Sequence, residues 1–136
     1  MGAWSVDAFG NDDAADWAYE LEGADDLGPI KEAFASVIEV GDEYLEASEA
    51  TVALAAAEAL ARLMGHPGEK NSYTEAVDNW VARAAAKPTA DLIDKAQVVI
   101  SRILANNSEL HELWKDSDEY DAWLVSVGAL RSRLGA

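Results

Sequence analysis

Residues 51–64 read Thr51-Val52-Ala53-Leu54-Ala55-Ala56-Ala57-Glu58-Ala59-Leu60-Ala61-Arg62-Leu63-Met64. The stretch carries no glycine, no proline and little β-branching. Alanine is the best helix former, so the run reads as helix. Its apolar residues occupy nearly the whole circumference, which is the pattern of a central, buried helix. Small side chains also let neighbouring helices approach closely. Only Glu58 and Arg62 interrupt the run, and both that interruption and its length rule out a membrane span. Ser48 or Thr51 is the expected cap, and the firm stop is Gly65-His66-Pro67-Gly68.

Outward from this stretch the chain reads as helix on both sides. Downstream, Thr74 caps a helix with Val77, Trp80, Val81 and Ala84 on its stripe, closed by Lys87-Pro88. Thr89 caps the next. There Leu92, Ile93, Ala96, Val99, Ile100, Ile103 and Leu104 recur at three and four, the clearest amphipathic pattern in the chain. A short helix over 108–115 follows Asn106-Asn107. Ser117 then caps a last helix with Tyr120, Trp123, Leu124, Val127, Leu130 and Leu134 inward. Upstream, Pro29 suits the first turn of a helix carrying Ile30, Phe34, Val37 and Ile38, and Gly41 is its expected end, although residues 42–46 could extend it. Asn11 caps the first helix, whose stripe is Ala14, Trp17, Ala18 and Leu21 and whose stop is Gly23. The expectation is an all-α compact bundle of about six helices. A short extended N-terminal arm over residues 4–9 precedes them, with Trp4 and Val6 inward. A shift of about forty residues superimposes the pattern of 52–64 on 92–104, and a shift of 43 lays 74–81 on 117–124. Those registers suggest stacked αα-hairpins or the shared spacing of any two amphipathic helices.

The chain has 136 residues, half of them apolar, which suits a single acidic helical domain over 1–136 with its own core. It has no cysteine, so disulfides and thiolate metal sites are excluded. Net charge is −16. Residues 1–68 hold 15 acids against 2 bases, and residues 69–136 hold 11 against 8. Such a charge repels phosphate backbones and anionic bilayers, so direct nucleic-acid or membrane binding is not expected. It favours a basic protein partner or cations. It also serves plain solubility. The start lacks a basic segment followed by an apolar run, and the expected compartment is cytoplasmic.

The densest constellation is at the start. Asp12, Asp13 and Asp16, with Asp7 and Asn11 nearby, could offer oxygen ligands to a divalent cation, with hydrolysis as the chemistry such a site would serve. Their spacing is not that of a calcium loop, and capping at the positive end of a helix dipole accounts for the same carboxylates. Asp7 and the three other aspartates have no cation nearby in sequence, so the fold would have to bring one, such as Lys95, Arg102 or Arg131. Trp4, Asp7, Phe9, Asn11 and Trp17 form a candidate N-terminal site or anchor. Trp4 is either a pin for the arm or a contact for a partner. Trp17, Trp80, Trp114 and Trp123 lie on helical stripes and read as core. His111 lacks a second histidine four residues on, since Lys115 stands there, and His66 lies in a turn; neither makes a zinc motif. No catalytic or cofactor-binding constellation is legible, and no phosphate loop or dinucleotide fingerprint occurs.

The opening resembles small bacterial proteins grouped as domain of unknown function 4259, whose recurring start is Met-Gly-x-Trp-x-x-x-x-Phe-x-Asn-Asp-x-Ala-x-Asp-Trp. Met1, Gly2, Trp4, Phe9, Asn11, Asp12, Ala14 or Ala15, Asp16 and Trp17 fit it. Ser5 departs from the glycine expected there. Ser108-Glu109-Leu110 with Leu113-Trp114 is similar to a second block. The resemblance implies one helical domain and carries no established activity, so no catalytic residue transfers. The function expected from all this is a non-enzymatic protein-interaction module, of inhibitor or immunity type, that binds a basic partner. The alternative is a carboxylate-based divalent-metal protein.

Overall fold

The alanine-rich run forms the hub expected of it. In the computed structural model, which describes residues 6–84 and 86–135, it is α3 (Ala47–Leu63). Around it stand α1 (Asp12–Glu22), α2 (Gly28–Val40), α4 (Glu75–Arg83), α5 (Ala90–Leu104), α6 (Glu109–Lys115) and α7 (Tyr120–Arg133), seven helices among the described residues. α3 packs against each of the other six. Ala53, Ala55, Ala56, Ala57, Ala59 and Ala61 are all fully buried. Alanine all round is what lets one helix accept neighbours on every side, because no long side chain holds any of them away.

That geometry decides between the readings of the forty-residue register. The pairs it suggests, α3 with α4 and α5 with α7, are in contact. Yet α3 touches every other helix whereas α5 touches only α2, α3, α6 and α7. The arrangement is one helix wrapped by six, not a stack of equivalent layers. No named strand occurs among the described residues, and none of their helices is long and apolar enough to cross a membrane.

Asn11 caps α1 as expected: its Oδ1 accepts the Ala14 N–H at 2.8 Å. Thr89 caps α5 by accepting the Leu92 N–H at 3.2 Å. Gly41 ends α2 at φ +60, a conformation glycine adopts without strain, and residues 42–46 leave the helix. Three caps differ from expectation, and tertiary partners explain each. α3 begins at Ala47, so Ser48 and Thr51 lie inside it. Its first N–H is satisfied by Glu109 of α6, whose Oε1 accepts from Ala47 at 2.8 Å. Thr74 precedes α4, but its hydroxyl donates to Asp78 at 2.7 Å instead of capping. Ser117 shapes the turn before α7, donating to the Trp114 carbonyl at 2.8 Å, and the helix itself starts at Tyr120. α4 closes at Arg83, earlier than Lys87-Pro88.

The two loops that lead into α3 and α6 are clasped together. Leu45 and Ser108 form an isolated parallel bridge, with the Leu45 N–H on the Asn107 carbonyl and the Glu109 N–H on the Leu45 carbonyl, both at 2.9 Å. Arg102 donates to the carbonyls of Gly41, Glu43, Asn106 and Asn107. Ile38 of the α2 stripe is exposed rather than inward, while Ile30, Phe34 and Val37 are buried as read.

Of the expected arm, Trp4 and Ser5 lie outside the described residues. Residues 6–10 are not extended: the Gly10 N–H closes a turn on the Asp7 carbonyl at 3.0 Å. Val6 packs partly buried against the core, as expected, and the turn buries Phe9 as well, which the alternation had placed on the other face.

Candidate functional site

Glu58 and Arg62, one helical turn apart on α3, are the polar interruption in the apolar run. Both are buried, with side chains 9% and 2% exposed. A buried charge is tolerated only when paired and hydrogen-bonded. Arg133 at the end of α7 supplies the first partner: its Nη1 and Nη2 donate to the two oxygens of Glu58 at 2.6 and 2.7 Å. Arg62 Nη1 donates to Asp78 Oδ1 at 2.8 Å, and Nη2 donates to the Glu69 carbonyl. Asp78 Oδ2 accepts from the Thr74 hydroxyl at 2.7 Å, a shorter contact than that hydroxyl's other one, to the Asn71 carbonyl at 3.1 Å. Arg62 Nε lies 3.3 Å from Glu58 but makes no hydrogen bond, so that contact is purely electrostatic. Two carboxylates and two guanidiniums thus close a neutral network joining α3, α4 and α7.

Arg133 is held in its charged form. The Glu58 hydrogen bonds raise its affinity for the proton, partial burial works against them, and the fields of Glu58 and then Asp7 add to the rise. Among the opening aspartates it is Asp7 whose field reaches Arg133, and both line one cavity. Lys95, Arg102 and Arg131 go elsewhere: Lys95 pairs with Asp91 at 3.1 Å, Arg102 holds the clasped loops, and Arg131 donates to Ser101 at 2.7 Å. The turn at 65–68 is fitted to Arg133. His66 Nδ1 donates to the Arg133 carbonyl at 2.8 Å, and a Cβ on Gly68 would lie 3.1 Å from the guanidinium.

Two cavities, of about 300 and 350 Å³, open beside this network and share Val6, Asp7, Ala8, Glu58 and Ser126 in their walls. The first runs between α3, α6 and α7 and is mostly apolar, with Leu54, Leu113, Trp114 and Leu130 among its walls. Trp114 stacks on Trp123 with ring centroids 5.9 Å apart and planes 10° from parallel. At its mouth stand Asn11, Asp12 and Asp13, from the start of α1. The second cavity has Arg62, Asn71, Thr74 and Arg133 in its walls, with the exposed Tyr73 and Val125.

The candidate site residues separate accordingly. Asp12, Asp13 and Asp16 are all exposed on α1. Asp12 faces the first cavity, Asp16 faces a different hollow between α1, α2 and α3, and Asp13 borders both. Among the described residues no three His, Asp or Glu side chains are grouped to hold a metal ion. Asp7 lines both cavities. Asn11 caps, while Phe9 and Trp17 belong to the core. Trp80, Trp114 and Trp123 are also buried. His111 Nδ1 donates to the Ala105 carbonyl at 3.3 Å, which leaves Nε2 to accept from the Tyr120 hydroxyl at 2.7 Å. None of the four network residues, Glu58, Arg62, Asp78 and Arg133, is among the candidates from sequence. The signal that could have found them is Glu58 with Arg62, an acid and a base one turn apart on an otherwise apolar helix.

No curated protein and no solved structure matches the chain. Residues 2–126, however, match the model of the family described as domain of unknown function (DUF4259), and the chain belongs to that family.

Proposed function

We propose that this protein is a non-enzymatic interaction module that recognises a basic protein surface. The observation that carries this reading is how the fold distributes its charges. All five arginines make hydrogen bonds within the molecule: Arg62 and Arg133 in the network around Glu58, Arg83 on the carbonyls of Glu22 and Ala24, Arg102 on the clasped loops, and Arg131 on Gln97 and Ser101. In residues 1–68 the two cations are Lys31 and Arg62, and Arg62 is buried. Lys31 is then the one cation of that half of the sequence outside the network. The network pairs two cations with two anions, so the outer surface keeps the whole net charge of −16. A surface of one sign raises association rates with an oppositely charged partner and repels like-charged ones. A protein that acts on nucleic acid has the matching basic face, which an inhibitor or immunity-type module of this charge would cover.

Calorimetric titration against poly-lysine and against a folded basic protein tests the reading. Binding should be strong at low ionic strength and fall steeply by about 0.3 M salt, where the screening length is well under ~10 Å. A neutral globular protein should give no heat. Absence of salt-sensitive binding to either basic probe would overturn the proposal.

A further inference from the structure

Resting on that reading, we infer that the cavity between α3, α6 and α7 seats one long cationic side chain, arginine or lysine, presented by the basic partner. Three observations converge on this chemistry. The volume, about 300 Å³, sits at the lower edge of the range for ligand pockets, roughly 300–1,000 Å³, and so suits a single side chain better than a cofactor. The walls are mostly apolar, with Leu54, Trp114 and Leu130 inside; the Glu58 carboxylate among them is already taken by Arg133, and Leu113 is 39% exposed at the rim. The mouth carries Asp12 and Asp13, and no lysine or arginine stands among the described lining residues. Arginine and lysine have the complementary form, an apolar stem tipped by a charge, and bury the stem while the head stays in polar surroundings. Asp7 already lies in the field of Arg133, so the charge for the guest comes from Asp12 and Asp13. The positive end of α1 opposes a cation at this place with about half a unit charge. Two full carboxylates outweigh it.

The experiment is an amide and indole NMR titration of the full chain with an oligo-arginine peptide and with its citrulline counterpart, which keeps the shape without the charge. The arginine peptide should shift the Trp114 indole and the Leu113 amide, and the citrulline peptide should not. Asp12→Asn with Asp13→Asn should weaken binding about fivefold, as expected for loss of two exposed charge contacts. Glu32→Gln with Glu39→Gln removes the same charge from α2, outside this cavity, and should leave the affinity within about twofold. Leu113→Ala should weaken binding with the urea midpoint unchanged. Equal weakening by the α1 and α2 pairs would overturn the seat while leaving the broader reading standing, since binding would then follow net charge alone. No salt-sensitive binding to any basic probe would remove both. Stronger binding by Trp4→Ala would assign the cavity to the chain's own N-terminal indole, and a dimer dispersed by Leu113→Ala would assign it to a second copy. Either result overturns the inference.

Discussion

Replacing Glu58 with glutamine removes one charge and almost no volume, so its effect reads the network rather than the packing. Glu58 accepts two hydrogen bonds from Arg133, at 2.6 and 2.7 Å, and stands 3.3 Å from Arg62 Nε. Breaking a buried ion pair by neutralising one partner typically costs about 3–5 kcal/mol, because the other charge stays buried without compensation. Two features place Glu58→Gln near the low end. Arg62 keeps Asp78 and the Glu69 carbonyl, and the Arg133 side chain, 23% exposed, can recruit water. The expected loss is therefore about 3 kcal/mol, a large share of a typical stability of about 5–15 kcal/mol. For a chain of this size that lowers the melting temperature by roughly 10 °C. Urea unfolding followed by tryptophan fluorescence measures it, with an unchanged m-value showing that the same surface is exposed. Pairing the change with Arg133→Gln completes a double-mutant cycle, and the coupling should be about 1–3 kcal/mol. A Glu58→Gln protein within about 0.5 kcal/mol of its parent, the size of an ordinary surface substitution, would refute the reasoning. So would strict additivity with Arg133→Gln.

Three further outcomes follow from other contacts. Tyr44 donates to Glu112 Oε2 at 2.7 Å, and this bond, then burial and the charges of Glu112 and Glu109, push its hydroxyl from 10.0 up to about 12. The neutral phenol is the favoured form in the fold. The contribution of this bond to stability is thus complete below pH 10 and is lost as pH rises through about 12. In an ultraviolet titration, Glu112→Gln should bring this tyrosine's ionisation back toward 10.0, and a Tyr44 signal that does not move would count against the bond. Glu109→Ala should cost about 1 kcal/mol, the usual value of a helix cap, because it strips the acceptor from the Ala47 N–H. Ser48→Ala and Thr51→Ala should show no such loss in the same denaturation assay. Calorimetry with millimolar magnesium, manganese or calcium should show no saturable heat, since Asp12, Asp13 and Asp16 divide between two hollows. A saturable isotherm abolished by Asp12→Asn, Asp13→Asn and Asp16→Asn would establish a carboxylate metal site instead.

The helices were legible because their signals are local. The stripes of α1 and α5 and the alanine run of α3 are written within a few turns of chain, and so are the caps at Asn11 and Thr89. What failed to read was settled by particular contacts, some distant and some local. The start of α3 depends on Glu109, and no residue near Ala47 carries that information. Thr74 was a plausible cap until a carboxylate one turn away, itself anchored by Arg62, took its hydroxyl. The facing of the opening segment depended on a turn at 7–10, which alternation alone could not distinguish from a strand. The same division applies to the site. Sequence reading takes Glu58 and Arg62 only as interruptions of an apolar run, although an acid and a base four residues apart on a buried helix need partners. Arg133 could not be named as the partner from sequence, because helix packing alone brings it across 75 positions. The opening aspartates were conspicuous by number, but the fold lets them diverge.

The span between Glu58 and Arg133 also bears on how the chain is made. A ribosome adds roughly 5–20 residues per second, so the guanidinium arrives about 4–15 s after the carboxylate it will neutralise, 75 positions earlier. Glu109 too is added long after the helix start that it covers. During that interval the emerging hub helix holds a charge it cannot yet bury, and its first turn is uncovered. The ionic link between Glu58 and Arg133, and the cover of the first turn of α3, can therefore form only once the late helices have been made.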